Sequence, residues 1–239
     1  MAQQFDGKSV VVPGGTGGLG RAVSLAFLNA GANLAVTYQR AEEFAALQRL
    51  AESRAPSLKG HQADVTQEAG CSELVSRVLA EQKRMDVLVN CVGGYAGGTP
   101  LWQIDPKIFE QMLSLNLRAG FLLARAAVPL MLKQGNGVII NIASQAAVNH
   151  AAGAAAYAAS KAAAVAMIDS LAADLAGTGV RANSVLPSII DTPANRRAMP
   201  NADFSKWPKP EEIADVILFL CSDDAKLIHG AAVPVYGAL

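Results

Sequence analysis

The chain alternates from end to end between short apolar runs and longer segments of helical length. The runs are Lys8–Val12, Asn33–Tyr38, Leu58–Ala63, Asp86–Asn90, Gly137–Ala143, Val180–Leu186 and Ala231–Tyr236. Several are apolar without period-two alternation, the pattern of strands buried on both faces. Between them Gly18–Ala30, Ala41–Arg54, Gln67–Arg84, Asp105–Lys133, Gly153–Ala176 and Lys209–Cys221 read as helices. Such regularity demands right-handed βαβ crossovers feeding one parallel sheet. The predicted class is therefore α/β: a Rossmann-like, doubly wound parallel sheet of seven strands with helices on both faces. No linker, repeat or low-complexity stretch divides residues 1–239, a length one such domain accommodates. Only the stretch around 188–208 lacks periodicity, and it is read as a short substrate lid.

Composition narrows the function classes. With 51% hydrophobic and 17% charged residues the chain can cover a large core, which disorder could not. Twenty basic and twenty acidic residues cancel, arguing against a nucleic-acid partner. Cys71, Cys91 and Cys221 are scattered and odd in number, which fits buried thiols in a reducing, cytoplasmic compartment. No N-terminal targeting segment is read. Gln134–Ser160 lacks Asp, Glu, Lys and Arg, yet its Asn136, Asn141, Asn149 and His150 would be unsatisfied in lipid, so no membrane span is expected. No His/Cys/Asp/Glu grouping has metal-ligand spacing, and no metal is expected.

The first strand runs into PGGTGGLG and then a helical pattern. Gly14, Gly18 and Gly20 stand where a tight turn, a phosphate approach and helix–sheet packing each exclude a Cβ. The helix opening near Gly18 offers free N–H groups and a positive dipole end to a pyrophosphate. Thr16, Gly17 and Leu19 complete the expected phosphate loop.

Four further features complete an ordered set: Asn90 opening NCVG, Asn116 in LSLNLRAG, Ser144 at the end of the fifth run, and Tyr157 with Lys161 in YAASK thirteen residues later. On this set the chain resembles the short-chain dehydrogenases/reductases of the common 250-residue type, over essentially its whole length. The resemblance implies a hydride transfer between nicotinamide and a small-molecule carbonyl/alcohol substrate, with Tyr157 as general acid/base. It implies that Lys161 holds the nicotinamide ribose, Ser144 the substrate oxygen, and Asn116 a water leading to Lys161. Tyr157 and Lys161 at i, i+4 share a helix face. A free phenol titrates near ~10. One positive charge about 4 Å away is worth up to ~4 kcal/mol at an effective dielectric of about 20, or roughly three pKa units. Two other functions stay open on this fold: a dinucleotide-binding regulator without turnover, and a lyase or epimerase.

The family's usual motifs are altered in places. Pro13 replaces a threonine, Val92 breaks the usual Asn-Asn-Ala-Gly, Ser188 follows Pro187, and Val235-Tyr236-Gly237 lacks the usual acid. An acid at the end of the second strand would mark NAD. Here Tyr38 stands there, followed by Gln39 and Arg40, and a guanidinium at Arg40 suits a 2′-phosphate. NADP(H) is favoured and NAD(H) possible, with Arg40 pairing Glu43 as the competing reading. Asp64 and Val65 would flank the adenine. Asn90 and Gly93 would line the cofactor groove, and Pro187, Ile190 and Thr192 would approach the nicotinamide amide. The alanine-rich helix Gly153–Ala176 predicts a homo-oligomer, a tetramer, which an arginine at Ala164 should break.

Overall fold

The computed structural model describes residues 4–238. Seven parallel strands form one sheet in the order β3-β2-β1-β4-β5-β6-β7. They are β1 (Ser9–Val12), β2 (Asn33–Tyr38), β3 (Leu58–Gln62), β4 (Val87–Asn90), β5 (Gly137–Ile142), β6 (Val180–Pro187) and β7 (Ala232–Val235). The intervening helices are α1 (Gly18–Asn29), α2 (Ala41–Ala51), α3 (Glu68–Gln82), α4 (Pro106–Leu113), α5 (Ala119–Gln134), α6 (Ala155–Asp174), α7 (Pro193–Ala198) and α8 (Pro210–Cys221). The doubly wound sheet expected from the alternation is present, with helices on both faces.

The strands are apolar on both faces because each face meets its own core. Val10 and Val12 of β1 enter the core beneath α1, α2 and α8, whereas Val11 enters the one beneath α3, α5 and α6. At the amino edge, the buried Asp86 carboxylate accepts from Ser9 N–H at 2.9 Å and pairs with Arg84. That pins β1 to the start of β4.

Predicted ends shift by one or two residues at most elements, but three differences have physical causes. The second helix stops at Ala51 and tightens into a 3₁₀ turn, Glu52–Ser57, because Pro56 cannot continue it. The predicted helix Asp105–Lys133 runs from Pro106 to Gln134 but contains a π turn at Ser114–Arg118. Such turns cluster at functional sites, and this one carries Asn116. The aperiodic stretch after β6 contains the short α7, whose N-cap Thr192 accepts from Asn195 N–H at 3.2 Å.

Helix Pro106–Gln134 is long and apolar enough to span a bilayer by length and composition. Here its inner face packs into the sheet through Leu122, Leu123, Ala127 and Met131, and Arg125 pairs with Glu68 of α3.

Candidate active site

The chain leaves β1 toward β2 and β3, then crosses back to β4, so the sheet's switch point lies between β1 and β4. Open α/β sheets bind ligands outside the carboxyl ends of their strands at such a point. Two loops meet there. Gly14, at φ +73°, lies where a Cβ would come 3.1 Å from the Cys91 carbonyl, and Cys91 N–H donates to Pro13 O at 3.0 Å. Gly14 N–H donates to the Thr37 hydroxyl at 2.9 Å. Thr37 lies one step beyond the β1–β2 register pair Val12–Val36, and supplies a hydroxyl beside Pro13, which has none.

Gly14, at positive φ, makes the turn, and Gly20 is excluded from carrying a side chain by packing, as the sequence suggested. A Cβ at Gly20 would sit 2.1 Å from Gly14 O, and one at Gly15 2.6 Å from a Val36 methyl. Both positions forbid a side chain for packing reasons, and Gly15 was not expected among them. At Gly18 the nearest contact would be a Thr192 methyl at 3.1 Å, a milder exclusion. Gly17 and Gly18 are exposed, and α1 starts without a side-chain cap. The orphan N–H groups of a twelve-residue helix therefore face solvent beside bare backbone, which fits a dinucleotide pyrophosphate. Leu19 is buried in the core, so only its backbone can serve this loop, while Thr16 is half-buried at the loop's turn.

Around the groove the other candidates are brought to the same edge. Tyr38 ends β2 and stacks on Phe44 with ring centroids 5.1 Å apart. Arg40 is exposed and paired with Glu43, the competing reading of this position. Asp64 accepts from Thr66 N–H at 2.9 Å, turning the chain out of β3, while Val65 is buried. Pro187 ends β6, Ile190 accepts from Asn195 Nδ2 at 2.8 Å, and Thr192 reaches across to Gly18.

Asn90 does not point its amide into the groove. Nδ2 donates to Asn141 Oδ1 at 2.9 Å and Oδ1 accepts from Val92 N–H at 3.1 Å, so the side chain shapes the loop from beneath. Asn116 is likewise committed: Oδ1 accepts from Gly94 N–H at 2.9 Å, while Nδ2 lies 3.0 Å from both Gly94 O and Ser160 Oγ. A Cβ at Gly93 would lie 2.9 Å from Asn116 Oδ1 and 3.2 Å from Lys161 Nζ, so these two groups flank the bare glycine. Asn116 is thus first a brace between the β4 loop and α6, and a spare lone pair on Oδ1 is what remains for a water. Ser160, which the sequence reading passed over, closes the brace by donating to Tyr157 O at 2.7 Å.

Ser144 lies two residues beyond β5 and accepts from Ala146 N–H at 3.1 Å. Its hydroxyl neighbours the Tyr157 phenol. Burial pushes that phenol above its ordinary range, Ser144 pulls it back, and Tyr95 adds to the rise. Lys161 is buried, its ammonium donates to Ile142 O at 2.8 Å, and Nζ lies 6.0 Å from the Tyr157 ring centroid. Burial pushes Lys161 down to about 8. The charge at Lys161 stands further off than the ~4 Å assumed from the sequence, and burial is the largest influence on each of the two groups. The phenol stays protonated across the neutral range.

A family model described as enoyl-(acyl carrier protein) reductase matches residues 14–237. The chain is 31% identical over 244 residues to the 3-oxoacyl-(acyl-carrier-protein) reductase FabG of Thermotoga maritima, covering 99% of each. Among solved structures, NADP-bound ElxO superposes with a TM-score of 0.91 at 25% identity, covering 96% of this chain and 97% of that one. NAD+-bound xylitol dehydrogenase also superposes with a TM-score of 0.91 at 25% identity, covering 98% and 99%.

The buried ammonium carries a stability cost with a definite pH signature. Below pH 8 Lys161 is charged in both folded and unfolded chains; between about 8 and 10.5 only the unfolded chain keeps the proton, so folding gains as pH rises. The full difference is at most about 3 kcal/mol. Lys161→Met should therefore melt several degrees above wild type at pH 7, with the gap narrowing toward pH 10.5. Calorimetry at both pH values checks it.

Proposed function

The chain belongs to the short-chain dehydrogenase/reductase family and is an oxidoreductase of alcohol and carbonyl groups; on that premise we propose that Tyr157 is its acid/base and NADP(H) its preferred cofactor. The observation that carries the assignment is the Tyr157 phenol beside the Ser144 hydroxyl, with the buried Lys161 ammonium one turn on along the same helix and 6.0 Å from the phenol ring centroid. When bound, the nicotinamide supplies or takes up the hydride. Gly14, Gly17 and Gly18 would cradle its pyrophosphate, and Lys161, with one N–H committed to Ile142 O, would hold its ribose with the others. In the reducing direction Ser144 holds the carbonyl oxygen and Tyr157 donates the proton that turns it into a hydroxyl. In the oxidising direction the phenolate must form first, which its raised pKa resists.

NADP(H) rests on Arg40 at the end of β2 and on the absence of an acid at Tyr38. An exposed pair such as Arg40–Glu43 is weak, so a phosphate dianion can recruit the guanidinium from it. Residues 188–208 serve as the lid, with Thr192 as its contact on Gly18. The three thiols are all free, which supports a reducing cytoplasmic setting.

A homotetramer is also proposed. Ala159, Ala162, Ala163 and Ala166 form a partly exposed stripe along α6, next to a groove lined by Leu113, Leu117, Phe121 and Met167. Phe121 is 50% exposed there. The edge strand β7 offers the second contact, near Val233. Ala164 is fully buried within the subunit, so an arginine there would disrupt the fold and cannot report on assembly.

Three outcomes follow. Tyr157→Phe should lose roughly 10²–10⁴-fold in rate with cofactor affinity unchanged, and in wild type alcohol oxidation should climb steadily from pH 7 to 10 while reduction does not. Arg40→Ala should weaken NADPH roughly tenfold and NADH hardly at all by fluorescence titration; equal losses would remove Arg40 from cofactor choice. Ala166→Arg should lower the assembly mass measured by light scattering, whereas a 24.8 kDa wild type would end the tetramer reading.

A further inference from the structure

The loops that leave β4, β5 and β6 emerge side by side at the carboxyl edge, because these three strands are neighbours, and the first of them brings Tyr95 against Tyr157. Each presents an exposed apolar side chain: Tyr95 is 70% exposed, Val148 60% and Ile189 40%. None of the three stretches 87–104, 135–160 and 182–190 contains an Asp, Glu, Lys or Arg. The one histidine in these stretches, His150, lies with Nε2 3.3 Å from Ala147 O. Asp191 is paired with Arg196, whose guanidinium also lies 4.8 Å from the Phe204 ring centroid. Lys161 is buried and bonded to Ile142 O. Arg197 and Lys206 are exposed on the lid, outside the three loops.

Tyr95 is the fixed member of this wall. Its ring stands edge-to-face with Tyr157, centroids 4.9 Å apart and planes at 74°. The loop is built around it. The Tyr95 hydroxyl lies close over Gly97, where a Cβ would fall 2.2 Å from it. Gly98, at φ +87°, donates its N–H to Gly153 O at 3.0 Å, tying the loop to the residues that open α6. A large aromatic surface exposed beside an acid/base phenol needs a partner to cover it.

We propose that the carbonyl substrate is neutral and carries a flat or ring-shaped apolar group adjoining the carbonyl, which packs on Tyr95, making Tyr95 the specificity-determining residue. This rests on Tyr157 and Ser144 receiving the carbonyl oxygen, as argued above. An oxygen held there places the next few atoms of the molecule along the Tyr95 ring. Aromatic pairs add affinity beyond the area they bury. A carboxylate or phosphate in the same place would lose water without gaining a counter-charge, which is costly.

The test compares acetophenone, phenylglyoxylate and butanone with wild type, Tyr95→Ala and Tyr95→Phe. It follows NADPH consumption and, separately, binding by ligand-detected NMR. The expected result is that acetophenone exceeds phenylglyoxylate at least tenfold in kcat/KM, a step that one uncompensated charge readily supplies. Tyr95→Ala should raise KM for acetophenone about tenfold relative to KM for butanone, with NADPH affinity unchanged, while Tyr95→Phe keeps the wild-type ratio; a change in kcat common to both ketones reports only the contact with Tyr157. Equal turnover of the keto acid, or equal losses for acetophenone and butanone, overturns the proposal. Acetophenone binding that Tyr95→Ala abolishes, without turnover of any ketone, would keep the ring site and remove the reductase reading. Absence of binding and turnover alike would overturn both.

Discussion

Lys161 Nζ donates to the carbonyl of Ile142, and much of the carboxyl edge of the sheet is arranged by that bond. An ammonium is among the most expensive groups to bury, and a single carbonyl does not replace its water. The charge is nonetheless kept, because the same contact fixes how α6 sits over β5. Tyr157 rides one turn earlier on α6, and Ser144 hangs just past the end of β5. Asn116 and Ser160 stiffen the arrangement from the other side by tying the β4 loop to the helix. The strain of one desolvated cation is distributed over three elements, each of which contributes a group to the site.

The amount of this that sequence could reveal depended on the kind of interaction involved. The doubly wound sheet was readable because burial on both faces leaves uninterrupted apolar strands, and the helices between them have the right length. The grouping of Ser144, Tyr157 and Lys161 was expected from the family resemblance, and the structure brings the three together. Hydrogen bonds between distant segments were not readable in the same way. Asn90 is held to Asn141, fifty-one residues away, and Asn116 to Ser160, forty-four away. Both looked like groups aimed at a ligand because their partners lay outside any local window. Burial was equally illegible: a Coulomb sum made at fixed distance omits desolvation, which is the largest influence on both Tyr157 and Lys161. Ala164 shows the limit of composition. An alanine-rich helix has no polar face to mark its outside, so the buried and exposed alanines could not be told apart until the helix was docked.

Departures from the usual motifs prove to be local exchanges. Pro13 gives up a hydroxyl and an N–H at the mouth of the glycine loop, and Thr37 on the neighbouring strand provides the acceptor for Gly14 instead. Ser188, where a glycine is usual, turns its hydroxyl to Tyr236 O at 2.8 Å and so ties the start of the lid to the chain beyond β7. In both cases the parallel register brings a compensating group alongside, which is why the carboxyl edge survives the substitutions.

The π turn at Ser114–Arg118 makes chain length itself a structural quantity. An extra residue inside a helix rotates everything after it by about 100° relative to everything before it. Upstream of the turn Met112 is directed into the fold; downstream Ala119, Leu122, Leu123 and Met131 fill the core beneath β4 and β5. Gly120 passes where a Cβ would come 3.2 Å from both Asn90 Nδ2 and Asn141 Oδ1, so the helix has no room to slide. Many side chains along this helix are open to exchange during divergence, but the count of residues is not. A descendant that gained or lost one residue here would have to turn a whole apolar face toward water, and no single later substitution could turn it back.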